Sequence, residues 1–294
     1  MIHFNKVNFK TYIESLAYKH KFIPSLLEKD YYLTLFLNEI NLLSEKLIFK
    51  GGTCLNKIYF EYFRLSEDLD FIMDIPQNKL TRTQRKELIK PLKQNLLKII
   101  EKLGLNLDCE KSGGFNESKQ YIFIILYNSV FYETPQSIKL EISMRFKNLL
   151  KVEYKKLHHI FLHPFTNEPI IKNETIKCLN LVEAVAEKLR AAATRKEIAP
   201  RDFYDLFYIS HKKSEIWDKN LLEIFLEKLK EGGFDINSKN YMINLGRNNN
   251  EIKFMENRLE LELLSVLNLE ERESFELNKA LKIINKNYKN MLEK

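Results

Sequence analysis

Cysteine, proline, glycine and tryptophan are all scarce in this 294-residue chain, which has three Cys, seven Pro, eight Gly and one Trp. Three cysteines, odd in number and far apart at positions 54, 109 and 178, exclude a disulfide framework and the paired spacing of a zinc knuckle. A reducing cytoplasm is therefore the expected setting. No apolar stretch approaches the roughly 20 residues of a membrane span. The longest, 121–126, reads as a buried strand. The opening Met1-Ile2-His3-Phe4-Asn5-Lys6 lacks the basic start and apolar core of a secretory signal. A composition 45% hydrophobic and 30% charged excludes a disordered chain, and the length allows one large domain or two ordinary ones. The net charge of +7 makes an acidic partner such as RNA physically reasonable, although a solvated basic surface fits the same number.

With glycine this rare, an adjacent pair stands out. Phe49-Lys50-Gly51-Gly52-Thr53-Cys54-Leu55-Asn56-Lys57 follows a short apolar segment, and Arg64-Leu65-Ser66-Glu67-Asp68-Leu69-Asp70-Phe71 comes soon after it. A glycine turn at the end of a strand lets backbone amides approach an anion with no side chain in the way. Asp68 and Asp70 alternate with Leu69 and Phe71. That is the period of a strand, so both carboxylates share one face and the apolar pair takes the other. Two hard oxygen donors beside a phosphate-holding turn suit Mg²⁺ or Mn²⁺ bridging the protein and a nucleotide phosphate. The pattern points to nucleotidyl transfer; two solvated strand aspartates are the plainer alternative.

Apolar spacing predicts helices over 11–20 and 26–40, the second opened by Glu28-Lys29-Asp30 as acid near a helix N-terminus. Residues 47–49 read as a strand feeding the glycine turn, 54–63 as a helix whose N-terminus faces that turn, and 69–73 as the next strand, ending near Pro76. A basic amphipathic helix over 81–103 is interrupted by Pro91 and stops at Gly104. Residues 121–128 and 138–144 read as strands. Helices follow over 181–196, 200–211 and 221–231, then two or three charged helices to the end, with Asn248-Asn249-Asn250 as a loop. This order predicts an α+β fold, with a mixed β-sheet flanked by helices over residues 1–173 and a helical C-terminal domain over 174–294.

Nucleotidyl transfer needs more than two carboxylates. A third ligand is expected from a neighbouring strand. Glu141, alternating in Ile138-Lys139-Leu140-Glu141-Ile142-Ser143 and sharing a face with Lys139, fits that place or an edge-strand ion pair. Lys188, in Glu187-Lys188-Leu189-Arg190-Ala191, lies on a helix face with Ala184, Val185, Ala191 and Ala192. From such a face it reaches a triphosphate or snorkels at a packing edge. In Pro200-Arg201-Asp202-Phe203-Tyr204-Asp205-Leu206 a helix start explains Pro200 and Asp202. Asp205, among aromatic and aliphatic neighbours, is left to pair with Arg201, to orient Lys188 or to orient an acceptor hydroxyl. His158, His159 and His163 lack partners at metal-ligand spacing. Arg82, Arg85, Lys86, Lys90 and Lys93, with Arg145, Lys147, Lys151, Lys155 and Lys156, fit either an RNA path or a solvated basic face.

Five blocks in order carry a resemblance over roughly residues 25–210. They are Glu28-Lys29-Asp30-Tyr31-Tyr32, Phe49-Lys50-Gly51-Gly52-Thr53, Arg64-Leu65-Ser66-Glu67-Asp68-Leu69-Asp70, Glu187-Lys188-Leu189-Arg190-Ala191 and Arg201-Asp202-Phe203-Tyr204-Asp205-Leu206. The chain resembles the AbiEii/AbiGii toxin family of DNA-polymerase-β-like nucleotidyltransferases, which includes toxin–antitoxin and abortive-infection toxins. The resemblance implies a nucleoside triphosphate co-substrate, Mg²⁺ or Mn²⁺, a possible antitoxin partner and, as in some relatives, a tRNA acceptor; transfer to a protein hydroxyl and a non-catalytic nucleotide-binding protein of the same fold are the alternatives. It implies that Gly51, Gly52, Thr53 and Ser66 bind the nucleotide phosphates, that Asp68 and Asp70 hold the metal, and that Lys188 and Asp205 form a later catalytic pair. Cys54, Asn56 and Leu65 depart from the family pattern and bear on nucleotide choice.

Overall fold

Alternation of apolar and polar residues builds a sheet at the centre of the first part of the chain. In the computed structural model, residues 1–75, 80–145 and 148–293 are described. Two units divide the chain, Met1–Leu179 and Asn180–Lys294. The first opens with helices α1 (Lys6–His20), α2 (Pro24–Asn38) and α3 (Ile40–Leu43), then strand β1 (Leu47–Lys50), the short helix α4 (Gly51–Cys54) and strand β2 (Asp68–Met73). Helix α5 (Arg82–Lys102) is followed by β3 (Asn106–Phe115), β4 (Gln120–Tyr127), β5 (Gln136–Ser143), β6 (Glu153–Lys156) and β7 (Thr175–Cys178).

The seven strands form one sheet in the order β3-β4-β5-β2-β1-β7-β6. It is mixed: β2 runs antiparallel to β1 and parallel to β5, and β7 runs parallel to β1. On one face Leu69 and Phe71 are buried, and Phe71 stacks on Phe49 with ring centroids 5.0 Å apart. Burying each such side chain contributes about 1.5–3 kcal/mol, so this face fixes which way β2 can lie. The opposite face carries Asp68 and Asp70.

The second unit is all helical among its described residues. Its helices are α6 (Leu181–Thr194), α7 (Pro200–Lys212), α8 (Lys219–Glu231), α9 (Tyr241–Gly246), α10 (Asn249–Glu262), α11 (Leu269–Ser274) and α12 (Leu277–Glu293). Apolar residues at three- and four-residue spacing, such as Leu221, Phe225 and Leu229 on α8 and Leu281, Ile284 and Tyr288 on α12, are buried within it. Among the described residues no helix is long and apolar enough to cross a membrane.

The expected architecture, a mixed sheet flanked by helices followed by helices alone, is the one found. Several local readings differ. β7 would fall in the second domain of a 173/174 division, but it pairs with β1 and β6, so the first unit runs through Leu179. β3 went unread because its side chains are mostly polar and half or fully exposed, with a register shift between Asp108 and Gly113. Pro91 lies inside α5 without ending it, and a capping box between Thr81 and Gln84 fixes that helix start. Asn248 is a cap rather than loop, with its side chain accepting from the amides of Asn250 and Glu251 to open α10. Pro76, the expected end of the second strand, lies outside the described residues.

Candidate active site

Each glycine of the turn is required by a charged side chain. At Gly51 φ is +79°, in the left-handed region, and a Cβ would stand 2.5 Å from Asp70 Oδ2. At Gly52 a Cβ would stand 2.5 Å from Arg64 Nη2 and 3.5 Å from Ser66 Oγ. The turn thus runs between a carboxylate and a guanidinium. Thr53 Oγ1 lies 2.7 Å from Ser66 Oγ and donates to the backbone carbonyl of Asp68. Both hydroxyls are engaged inside the protein, which fixes the turn against the start of β2. The first amides of a helix have no partner within it, so the turn presents N–H groups to an anion. The helix expected over 54–63 is shorter: α4 passes into a π turn over Leu55–Tyr59, and Glu61 and Tyr62 take positive φ. Gly51→Ala is expected to cost about 1–3 kcal/mol in backbone strain and to push Asp70 aside. Nucleotidyl transfer should then fall at least about 100-fold, measured against wild type in a labelled-triphosphate assay.

Strand register assembles the acidic face. Asp68 lies opposite Lys139, Asp70 opposite Glu141, and Lys50 opposite Asp70. Asp68 and Asp70 are both half-buried. Burial, together with the neighbouring Asp68 and Glu141 carboxylates, pushes the Asp70 carboxyl up to about 6 against the pull of Lys50 and Lys139. Burial also works against the Lys139 ammonium, but Asp68, Asp70 and Glu141 outweigh it and hold it above its ordinary range. Gln120 Nε2 donates to Glu141 Oε1 at 2.7 Å. No three His, Cys, Asp or Glu side chains among the described residues already group as a metal site. The donors nonetheless fit Mg²⁺ or Mn²⁺, because all are hard oxygens and the absent Cβ of Gly51 leaves room beside Asp70.

Behind the turn lies a buried network that the sequence reading missed. Glu28 and Asp30 are inside α2 and fully buried, so they do not serve its N-terminus as expected. Glu28 accepts from Ser129 Oγ at 2.5 Å and from the Val130 amide at 2.7 Å, holding the loop between β4 and β5. Asp30 pairs with the wholly buried Lys57, whose Nζ lies 2.8 Å from its carboxylate. Lys57 also donates to Thr34 Oγ1 and Tyr62 Oη, each at 2.8 Å. Tyr62 in turn donates to Asp30 at 2.7 Å. A lysine two residues beyond the apolar Leu55, in a segment otherwise buried, was the available signal. Beside it, the Asn56 side-chain amide is buried with no hydrogen-bond partner.

In the second unit Lys188 joins α6 to α7. Its Nζ lies 2.9 Å from Asp202 Oδ1 and 2.9 Å from Asp205 Oδ2, and it is 12% exposed. Asp205 thus pairs with Lys188, and Arg201 Nε donates to the Glu262 carbonyl. Asp202 is more than a helix-start acid, for it is buried and also receives Arg195 Nη1 at 2.8 Å. Asp202→Ala would leave two cations short of a buried partner. It is expected to destabilise the protein by about 3 kcal/mol, read from urea unfolding midpoints.

Other sequence candidates find structural employment. His159 Nε2 lies 2.6 Å from the Ile171 carbonyl, and His163 Nδ1 accepts from the amides of Phe165 and Thr166. Arg85 is buried and donates to the carbonyls of Leu80 and Glu117, so it is withdrawn from any basic path. Lys90 pairs with Glu87 and Lys155 with Glu153, while Arg82, Lys86 and Lys93 are exposed on α5. Lys147 lies outside the described residues.

Residues 35–294 match the family described as "Nucleotidyl transferase AbiEii toxin, Type IV TA system". No curated protein sequence matches the chain. Among solved structures it is similar to MenT4, a nucleotidyltransferase toxin from Mycobacterium tuberculosis H37Rv, at TM-score 0.63 and 13% identity over 99% of this chain and 90% of that one. It is also similar to JHP933 from Helicobacter pylori, at TM-score 0.53 and 16% identity over 92% of this chain and 94% of that one. At such identities the likeness is one of fold.

Proposed function

The chain belongs to the AbiEii nucleotidyltransferase toxin family, and from that premise we propose that it transfers a nucleotide from a nucleoside triphosphate to tRNA in a Mg²⁺-dependent reaction. The observation that carries this reading is the glycine turn lying directly against Asp70 at the head of the acidic face. Asp68 and Asp70 hold the divalent cation, with Glu141 as a third ligand across the strand pair. The bound cation supplies charge neutralisation for the triphosphate and for the phosphorus centre under attack. The amides of Gly51, Gly52 and Thr53 hold phosphate oxygens, and Thr53 and Ser66 keep that turn in place. Asp205 and Asp202 orient Lys188, whose ammonium serves the reaction as a second fixed positive charge. Lys188 and Asp205 take this role because their motif matches the family's later catalytic pair.

A net charge of +7 and the exposed Arg82, Lys86 and Lys93 favour a polyanionic acceptor over a protein hydroxyl. A tRNA acceptor sets the reaction in the cytoplasm and makes the protein a toxin or phage-defence effector, opposed by an antitoxin as in type IV systems. The test incubates the purified chain and Mg²⁺ with each α-labelled triphosphate and separate tRNA and protein pools. Label on tRNA, lost in Asp68→Ala and Asp70→Ala, is the expected result. Label confined to protein overturns the acceptor, and label that survives both substitutions overturns the site.

A further inference from the structure

Lys139 stands on the acidic face, directly opposite Asp68 in the β2–β5 register. Its Nζ lies 3.7 Å from Asp68 Oδ2 and 3.6 Å from Glu141 Oε2. Gln120 donates to the other Glu141 oxygen at 2.7 Å, so the glutamate is gripped from one side and directed at the ammonium from the other. Ile124, the β4 residue paired with Lys139, is half-buried and offers that ammonium no charge of its own. A monovalent cation therefore already sits between two of the three carboxylates assigned to a divalent one.

Resting on the metal reading above, we infer that Lys139 is the resident counter-ion of the metal site. It holds Asp68 and Glu141 in register in the metal-free chain and gives up its contacts when a divalent cation takes them. Two cations cannot share the same pair of carboxylate oxygens, since repulsion between a divalent ion and an ammonium within 4 Å is large at any protein-like dielectric. Binding is then an exchange rather than a simple addition. The free energy of the lysine contacts is subtracted from that of the metal–oxygen bonds, which weakens apparent affinity for the cation alone. The exchange frees an ammonium at the same place, able to meet a phosphate oxygen. The site is thereby biased toward a cation that arrives with a nucleotide, because the triphosphate supplies both further oxygen ligands and a new partner for the displaced lysine.

The experiment titrates Mn²⁺ alone into the metal-stripped full chain and follows free Mn²⁺ by electron paramagnetic resonance. Wild type is compared with Lys139→Met, Lys139→Gln, Asp70→Asn and Lys90→Met. Methionine keeps the length of the side chain, glutamine keeps a polar end, and thermal melts confirm folding of each. Lys90 is exposed and paired with Glu87, so Lys90→Met reports the effect of one lost charge elsewhere. The expected result is a Kd for Mn²⁺ at least about tenfold lower in both Lys139 variants than in wild type, with Lys90→Met unchanged. Equal or weaker binding in the folded Lys139 variants overturns the inference, as does equal tightening in Lys90→Met. If wild type binds no Mn²⁺, or Asp70→Asn binds it as wild type does, the metal reading itself falls and this inference with it.

Discussion

Replacing Asp70 with asparagine is expected to stop nucleotidyl transfer while making the metal-free protein more stable. The carboxyl titrates at about 6 because it is desolvated beside two other acids, whereas the same group in an unfolded chain titrates near 3.8. Ionising it in the fold therefore carries an electrostatic penalty of about 1–2 kcal/mol, after discounting for its half-buried setting. The penalty is fully present above pH 6, falls as pH drops through 6, and is gone below about 3.8, where both states are protonated. Asparagine keeps the shape and removes the charge. In chelator at pH 7.5 the variant should melt about 2–8 °C above wild type, and the gap should narrow on acidification toward pH 5. Transfer should fall by about 10³-fold or more, because the substitution removes the ionised carboxylate proposed as a metal ligand, worth several kcal/mol to the transition state. A variant that melts below wild type in chelator at every pH would show that the clustered acids are not strained by one another.

Lys57→Met is expected to be among the most destabilising single changes available in the first unit. The ammonium is wholly buried, and burial pulls its pKa below the ordinary lysine range although Asp30 opposes this. The residue remains in place because Asp30, Thr34 and Tyr62 satisfy it together. Methionine fills similar volume but abandons the buried Asp30 carboxylate, a loss of about 3–5 kcal/mol. At about 2–4 °C per kcal/mol for a unit of this size, the melting temperature should drop by roughly 6–20 °C. Asp30→Leu combined with Lys57→Met removes both charges and should recover much of that loss. A double-mutant cycle on melting and urea data measures the coupling, expected to be large and favourable to the native pair. Near-zero coupling would mean that the buried pair is not held by its mutual attraction.

The two predictions draw on different parts of what a sequence can tell. Asp68 and Asp70 sharing a face with Leu69 and Phe71 opposite follows from strand period alone, and the turn before them follows from the only adjacent glycines in the sequence's first hundred residues. These are local properties, fixed by neighbours along the chain. The same holds for the helices of the second unit, whose apolar spacing is regular enough to mark their faces.

Other features depend on pairings between distant residues. Glu141 and Lys139 alternate on one strand face by sequence, yet only the parallel register of β5 with β2 sets Lys139 against Asp68 and Glu141 against Asp70. Lys57 and Asp30 lie 27 positions apart, and nothing in either segment names the other as partner. Asp202 reads as a helix-start acid until α6 and α7 bring it to Lys188 and Arg195. β7 was hidden for the same reason, since four residues become a strand only when β1 and β6 supply their hydrogen-bond partners. By itself the sequence determined that two acids share one strand face just after a glycine turn, because strand period and glycine geometry act over a few residues. The tertiary structure alone decided which charges meet which, because a buried charge is tolerable only where folding delivers its partner.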